Sequence, residues 1–237
     1  MTTLVRRCAA EALGTFFLVL IGPGAAMVDA WSQGALGHVG VALSFAFVVT
    51  AMVYALGHIS GAHINPAVTL AFAATRRFPR GDVFPYVAAQ CVGAVAASLL
   101  LRLALGPVGH LGATLPAVPV PVAFGVEWVL SFGLMLVVMA VATDERVAGG
   151  FAGIAVGLTV GFEAMAGGPL TGASMNPARS LGPAVAGGGW AGHWLYWIAP
   201  LTAMVAAAWL YEWLRSAEAP RTVPRDIPLG VEGPLDA

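Results

Sequence analysis

Six stretches of the sequence are long and apolar enough to cross a lipid bilayer as helices, each of which needs roughly 20 apolar residues. Of the 237 residues, 59% are hydrophobic and only 10% are charged, whereas a soluble domain carries about 25% charged residues. The apolar excess is therefore expected to face lipid. The predicted spans cover residues 8–29, 38–57, 83–105, 121–143, 150–167 and 193–214.

Two further apolar stretches, from Pro66 to Ala74 and from Pro177 to Ala186, are too short to cross the membrane and have the length of half-helices. Each follows a glycine-containing segment. Non-helical backbone is tolerated at membrane depth only where it is buried in protein or lines a wet cavity. The two stretches therefore predict a pore or a substrate site.

These elements predict one all-α transmembrane channel domain over residues 1–215, built from inverted repeats at about 8–105 and 121–214. Residues 216–237 are rich in proline and charge, which predicts a disordered cytoplasmic tail. Each repeat holds three spans, an odd number, so the second repeat must insert upside down relative to the first. Inverted repeats of this kind place a site near the bilayer midplane.

Arginine placement predicts the orientation in the membrane. Arginine occurs before the first span, after the second and fourth spans, and in the tail. Since inner segments are enriched in basic residues, both termini are predicted to lie inside a cytoplasmic membrane. The connectors predicted to lie outside contain no arginine, and they are 30–37, 106–120 and 187–192.

The repeat is clearest around two Asn-Pro-Ala motifs. The segment Ser60 to Leu70 aligns with Thr171 to Leu181. Asparagine is a favoured N-cap and proline is favoured at the first helical position, so each motif predicts the start of a short helix. The motifs are Asn65-Pro66-Ala67 and Asn176-Pro177-Ala178.

Inverted symmetry makes the two helix starts face each other, so their positive dipole ends oppose cations and protons. The side-chain amides of Asn65 and Asn176 are expected to donate hydrogen bonds into the lumen. The chain before each asparagine is predicted to be extended, with carbonyls that line the pore as acceptors. The residues expected to supply these carbonyls are Gly61, Ala62, His63, Ile64, Gly172, Ser174 and Met175.

The motif segments resemble the major intrinsic protein family, the aquaporins and glycerol facilitators, and look closest to nodulin-like intrinsic proteins and their bacterial relatives. The resemblance extends from about Glu11 to Trp213. It implies a right-handed barrel of six transmembrane helices with two re-entrant half-helices. It also implies a homotetramer in which each subunit has its own pore.

The resemblance further implies a selectivity filter of Phe45, Ala164, Ala173 and Arg179. Water channels of the family usually have histidine at the position of Ala164. The small residue here predicts a filter wide enough for a polyol, a urea-like molecule or an undissociated metalloid acid. Ser180 stands where glycerol facilitators typically have aspartate, so a strict water channel stays open as an alternative.

Glu11 and Glu127 are carboxylates in apolar spans, where charge is costly. One interpretation is the proton relay of a coupled secondary transporter, which is the second hypothesis after a channel. The other is that each accepts hydrogen bonds from N–H groups of a re-entrant loop, and the family supports this scaffold role. Glu163, beside the filter position, is expected either to face the outer vestibule or to bond a neighbouring loop.

Other functions have less support in the sequence. It contains no nucleophile with a nearby base and no metal-ligand spacing, so an intramembrane enzyme ranks last, and no cofactor or metal is expected. A net charge of −1 gives no reason to expect a nucleic-acid partner. The expected partners are water, small neutral solutes, the lipid bilayer and further copies of the chain. Gly153, Gly157 and Gly161, four residues apart, predict close helix packing.

Overall fold

The computed structural model describes residues 2–147 and 150–215. Over these residues it has eight α-helices, two short 3₁₀ helices, Arg80–Asp82 and Val108–Gly112, and one π turn. The predicted tail, 216–237, lies outside the described residues. The helices are α1 Leu4–Trp31, α2 Gly37–Ser60, α3 Pro66–Ala74, α4 Val83–Leu105, α5 Val120–Thr143, α6 Ala152–Thr171, α7 Pro177–Pro183 and α8 Leu195–Arg215.

Six of these helices are long, and α3 and α7 are short, as the sequence predicts for an aquaporin fold. Within the described part of the chain, the first five long helices are apolar enough to cross a membrane by length and composition. The sixth, α8, has 21 residues, but its tyrosines, tryptophans and Glu212 make it less apolar. It still packs along α5 as α4 packs along α1.

Some helix bounds differ from those predicted. Helix α1 begins at Leu4 instead of residue 8, where the side chain of Thr3 caps it. Helix α6 continues to Thr171, past the predicted end at 167, and contains Pro169. Proline has no N–H, so the carbonyl of Met165 loses its usual partner in the helix. The second half-helix ends at Pro183 and continues as a π turn, Ala184–Gly188.

The two repeats are interlocked through their short helices. Helix α3 of the first repeat packs against α8 of the second, and α7 of the second packs against α4 of the first. Helices α2 and α6 also pack against each other, which joins the two repeats directly. Each half-helix is therefore held by the opposite repeat, which brings both Asn-Pro-Ala turns to the middle of the molecule.

Glycines allow the closest of these helix contacts. A Cβ atom on Gly157 would lie 2.6 Å from the carbonyl oxygen of Ala46, and one on Gly161 would lie 2.8 Å from the Cβ of Ala46. A Cβ on Gly153 would lie 2.8 Å from the ring of Tyr54. The predicted close packing along this glycine stripe is confirmed, and the partner is α2.

Candidate pore

Each Asn-Pro-Ala turn starts a half-helix with asparagine as the N-cap. The Oδ1 atom of Asn65 accepts a hydrogen bond from the N–H of Ala67 at 2.9 Å. The Oδ1 atom of Asn176 accepts from the N–H groups of Ala178 at 3.1 Å and Arg179 at 3.2 Å. These bonds satisfy donors that a helix start otherwise leaves free, so each asparagine oxygen already has a partner inside the protein.

The same two asparagines tie the turns to each other. The Nδ2 atom of Asn65 donates to the carbonyl of Met175 at 2.8 Å, and that of Asn176 donates to the carbonyl of Ile64 at 2.8 Å. An amide carries two hydrogens, so one remains on each side chain. Both asparagines line the central cavity. The amides were predicted to donate into the lumen, and the structure shows that each amide also bridges the two repeats.

The backbone before each asparagine is not simply extended, and that prediction is wrong for four residues. Ala62 and Ile64 have φ values of +46° and +43°, and Ala173 and Met175 have +42° and +52°. A non-glycine residue in this left-handed region is strained by about 1–2 kcal/mol. The strain persists because buried acceptors fix the N–H groups of the loops.

Glu11 is the acceptor for the first loop. Its Oε1 atom accepts from the N–H of His63 at 2.9 Å and the hydroxyl of Ser60 at 2.7 Å. Its Oε2 atom accepts from the N–H of Ile64 at 2.6 Å and the Nε2 of Gln90 at 2.8 Å. The side chain is fully buried, and these four donors replace the water that the carboxylate has lost.

Glu127 is the acceptor for the second loop. Its Oε1 atom accepts from the hydroxyl of Thr171 at 2.7 Å and the N–H of Ser174 at 2.8 Å. Its Oε2 atom accepts from the N–H of Met175 at 2.9 Å. Like Glu11, it is fully buried, and it lines neither of the two pore cavities described below. A carboxylate so placed is suited to holding a loop and is poorly placed to relay protons along the lumen.

A central cavity of about 100 Å³ runs past both Asn-Pro-Ala turns. Its polar wall consists of loop backbone and the two asparagines, and the rest of its lining is mostly aliphatic. Of the residues predicted to supply carbonyls, all but Gly172 line this cavity. Lumen residues from the long helices that the sequence analysis did not identify include Leu18, Val49, Val53, Leu134, Val138, Val156 and Val160.

A second cavity of about 310 Å³ lies beyond the first, on the side predicted to face outward, and is called the outer cavity. Phe45, Ala164 and Arg179 line both cavities, so they mark the boundary between them. Ala173 lines only the central cavity, and its neighbour Gly172 lines only the outer one. The four residues assigned to the filter by resemblance therefore meet at one level of the pore.

Arg179 is anchored inside the protein and also lies at the pore. It is 4% exposed, and its Nη1 atom donates to the carbonyl of Gly112 at 2.8 Å. Its guanidinium carbon also lies 5.1 Å from the centroid of the Phe45 ring. The Nε atom has no protein partner. Arg179 is thus anchored by a loop carbonyl and retains a donor in a region that borders both cavities.

Gly22 makes room for Phe45 and was missed by sequence reasoning. A Cβ atom on Gly22 would lie 2.2 Å from a ring carbon of Phe45. Any larger residue at position 22 would therefore displace the aromatic ring. The Gly-Pro-Gly run in α1 was the available signal, but it does not indicate which ring the glycine faces. Asp29 and His38, which line the outer cavity, were also missed, because the sequence does not show which side chains face a cavity.

Glu163 takes neither of the positions expected for it. It is 4% exposed and lines neither pore cavity. Its carboxylate faces α5 instead, where a Cβ on Gly133 would lie 2.7 Å from Oε1. Its Oε2 atom is buried without a hydrogen-bond partner. Arg102, which is unusual near the outer end of a span, donates to the carbonyl of Ala186 after the second half-helix.

Comparison with known proteins places this arrangement in one family. The model of the family described as major intrinsic protein matches residues 1–211. Nodulin-26 of Glycine max is 45% identical over 217 residues, which cover 91% of this chain and 80% of nodulin-26. Aquaporin NIP1-1 of Oryza sativa subsp. japonica is 46% identical over 217 residues, which cover 91% of this chain and 76% of that protein.

The fold is also similar to a solved structure. The X-ray structure of the aquaglyceroporin from Plasmodium falciparum superposes with a TM-score of 0.76 at 25% sequence identity. The match covers 89% of this chain and 96% of that one.

Proposed function

Because this chain belongs to the major intrinsic protein family, we propose that it is a passive channel for water and small uncharged solutes. The solutes are glycerol-like polyols, urea and undissociated metalloid acids. The protein is an integral membrane channel and not an enzyme. The observation that carries the solute range is the boundary between the two cavities, where α6 contributes only the methyl group of Ala164.

Ion and proton exclusion is part of the proposal. Two half-helix N-termini, each capped by asparagine, meet in the central cavity and make its potential positive. Arg179 adds a full positive charge at the outer boundary. A water that accepts from Asn65 and Asn176 must point its own hydrogens away from them, which interrupts a proton-conducting chain of waters.

The strict water channel is the second candidate, and its support is Ser180. The hydroxyl of Ser180 accepts a hydrogen bond from Thr114 at 2.7 Å and also contacts the hydroxyl of Ser174. Ser180 lines neither pore cavity. A residue that is remote from the permeant constrains solute size less directly than Ala164 does, so the wider filter is favoured.

The proposal extends to topology and assembly. Residues 1–215 form the channel domain, with both termini on the inner side of a cytoplasmic membrane, because the arginines concentrate there. The exposed side chains of the long helices include many large apolar residues, which suits contact with lipid and with neighbouring copies in a homotetramer. Examples of such residues are Phe47, Phe84, Leu103, Val129, Leu158 and Trp213.

Stopped-flow light scattering on proteoliposomes tests the solute range. We expect fast shrinkage under an impermeant sugar and fast re-swelling when glycerol is the osmolyte, with no dependence on a pH gradient. The substitution Ala164→His should slow glycerol at least about tenfold, a barrier of about 1.4 kcal/mol, while water still passes. The matched control Ala166→His places the imidazole on the outer face of α6. Fast water flow without glycerol uptake in the wild type would contradict the wide filter.

A further inference from the structure

The outer cavity contains an imidazole that the proposed function does not use. His38 lines this cavity together with Ala42, Phe45 and Arg179. Residues 38, 42 and 45 lie on one face of α2, because three- and four-residue intervals return to the same side of a helix. His38 therefore stands outward of Phe45 on the same wall of the pore.

Pro169 explains what holds this imidazole. In an α-helix the carbonyl of residue 165 accepts from the N–H of residue 169, but proline has no N–H. The Nε2 atom of His38 lies 2.8 Å from the carbonyl oxygen of Met165. Since a carbonyl can only accept, Nε2 must carry the proton. In the neutral ring Nδ1 is then an unprotonated acceptor.

Two neighbouring elements fix the position of the ring. The Oδ1 atom of Asp29, at the end of α1, accepts from the N–H groups of Leu36 at 2.9 Å and Gly37 at 2.8 Å. These bonds hold the start of α2, where His38 is the second residue. Gly168 leaves space on α6, since a Cβ there would lie 2.6 Å from the Cε1 atom of His38. The ring thus lies against α6 in the outer cavity.

The outer cavity needs acceptors as well as donors. The guanidinium of Arg179 can only donate, and the Oδ1 atom of Asp29, the acidic residue of this cavity, already accepts from two backbone N–H groups. Polyols and urea bring both oxygens and polar hydrogens, and an imidazole nitrogen can accept the latter. We propose that His38 is a specificity-determining residue: its Nδ1 atom accepts a hydrogen from the O–H or N–H of a small neutral solute that waits outside the filter. Its Nε2–H at the same time satisfies Met165. This inference rests on the proposed function, in which such solutes reach the filter.

Three variants in proteoliposomes separate solute contact from a structural role. His38→Leu removes both ring nitrogens and should lower glycerol permeability about three- to tenfold, the factor of one hydrogen bond. Water permeability should change less than about twofold, because water fits the filter without help from one acceptor. His38→Gln retains a donor and an acceptor and should restore glycerol passage. The control is His58→Leu, at the exposed inner end of α2. A parallel fall of water and glycerol, or no fall, would overturn the proposal.

A second measurement does not depend on transport. Diethylpyrocarbonate modifies unprotonated imidazole nitrogens, and mass spectrometry resolves the rate at each histidine of the wild-type protein. Glycerol or urea should slow modification of His38 by about twofold or more relative to sucrose of equal osmolality, and should leave His58 unaffected. No protection would overturn the solute contact, even if His38→Leu alters permeability through Met165. Protection in a protein that passes no glycerol would sustain the contact and reject the proposed solute range.

Discussion

The two re-entrant loops share one backbone design and differ in the side chains that they place around it. In both, a buried carboxylate from the first long helix of the repeat accepts the N–H groups of the two residues before asparagine. In both, a tyrosine hydroxyl donates to the carbonyl before the loop glycine, Tyr86 to Ser60 and Tyr196 to Thr171. The symmetric part is therefore the part that holds the strained backbone.

In the first loop, the residue two positions before asparagine is a histidine, His63. His63 lies 3.1 Å from the hydroxyl of Thr69 and packs against the rings of Phe72, Phe78 and Tyr86. The centroids of these three rings lie 4.9–5.4 Å from the centroid of the His63 ring. The inner end of the central cavity is thus bordered by a large side chain that its surroundings hold in place.

The second loop has small hydroxyl groups at the same places. Ser174 corresponds to His63 and Ser180 to Thr69, and the two serines contact each other. Val68 corresponds to Arg179, so the only charged side chain of the two half-helices is in the second. The scaffold therefore follows the repeat, whereas the charge and the size of the side chains around it differ between the two loops.

The largest expected effect comes from removing the carboxylates. Glu11→Ala leaves the N–H groups of His63 and Ile64 buried without an acceptor, at about 1–3 kcal/mol for each. Glu127→Ala leaves the N–H groups of Ser174 and Met175 in the same state, but no counterpart of Gln90 donates to Glu127. We therefore expect both variants to be destabilised, and Glu11→Ala more strongly.

Unfolding in detergent, followed by intrinsic tryptophan fluorescence, measures both losses. Glu11→Gln and Glu127→Gln are the matched controls, because the amide retains one acceptor oxygen and should recover part of the stability. Equal losses in the two alanine variants would show that Gln90 adds nothing to the first loop. Unchanged stability would mean that the loops are held by other contacts.

A smaller effect is expected from making the two half-helices alike in charge. Arg179→Val copies the residue at Val68 and removes only one hydrogen bond within the protein, to Gly112. The fold should persist, but proton leak should rise about tenfold or more, which corresponds to about 1.4 kcal/mol. A pH-sensitive dye trapped in proteoliposomes measures the leak. Val68→Leu serves as the control in the first loop, and an unchanged leak in Arg179→Val would assign exclusion to the asparagines alone.

The smallest effect is expected at Gln90, which distinguishes the two carboxylate sites. Its Nε2 atom donates to Glu11 at 2.8 Å and to Thr69 at 3.0 Å. Four residues after Tyr196, the corresponding place in α8 holds Pro200. Gln90→Leu should lower the unfolding free energy by about 1 kcal/mol. Ser98→Ala, on the same helix, is the control, because that hydroxyl is buried without a partner. An equal loss in both variants would be evidence against the hydrogen bond to Glu11.

The existence of each helix was predicted from the sequence more accurately than the residues at which it begins and ends. The first half-helix begins at Pro66 and ends at Ala74 as expected, because its cap and first residue are local signals. The predicted end of α6 was wrong because the helix continues past Pro169, and the carbonyl of Met165 that the proline leaves without a backbone donor lies 2.8 Å from the Nε2 atom of His38. His38, which supplies this nitrogen, is 127 residues away in the chain.

Within the candidate site, the filter positions were predicted, but the contacts between residues far apart in the chain were not. The filter positions came from resemblance, and the structure brings Phe45, Ala164 and Arg179 to one boundary between two cavities. The carbonyls that accept hydrogen bonds from the asparagine amides were not predictable, since they lie 110 and 112 residues away in the chain. Glu163 was assigned to the outer vestibule or a loop, but its orientation toward Gly133 depends on how α5 and α6 pack.

The sequence by itself determined the number of long and short helices, the inverted repeat and the starting points of both half-helices. Hydropathy, odd span count and capping preferences are properties of short segments, and they do not require knowledge of the packing. Only the tertiary structure decided which residues meet at the cavity boundary, which carbonyls receive the asparagine amides and where the imidazole of His38 is held. These contacts join residues far apart in the chain, and they exist because each half-helix packs against the opposite repeat.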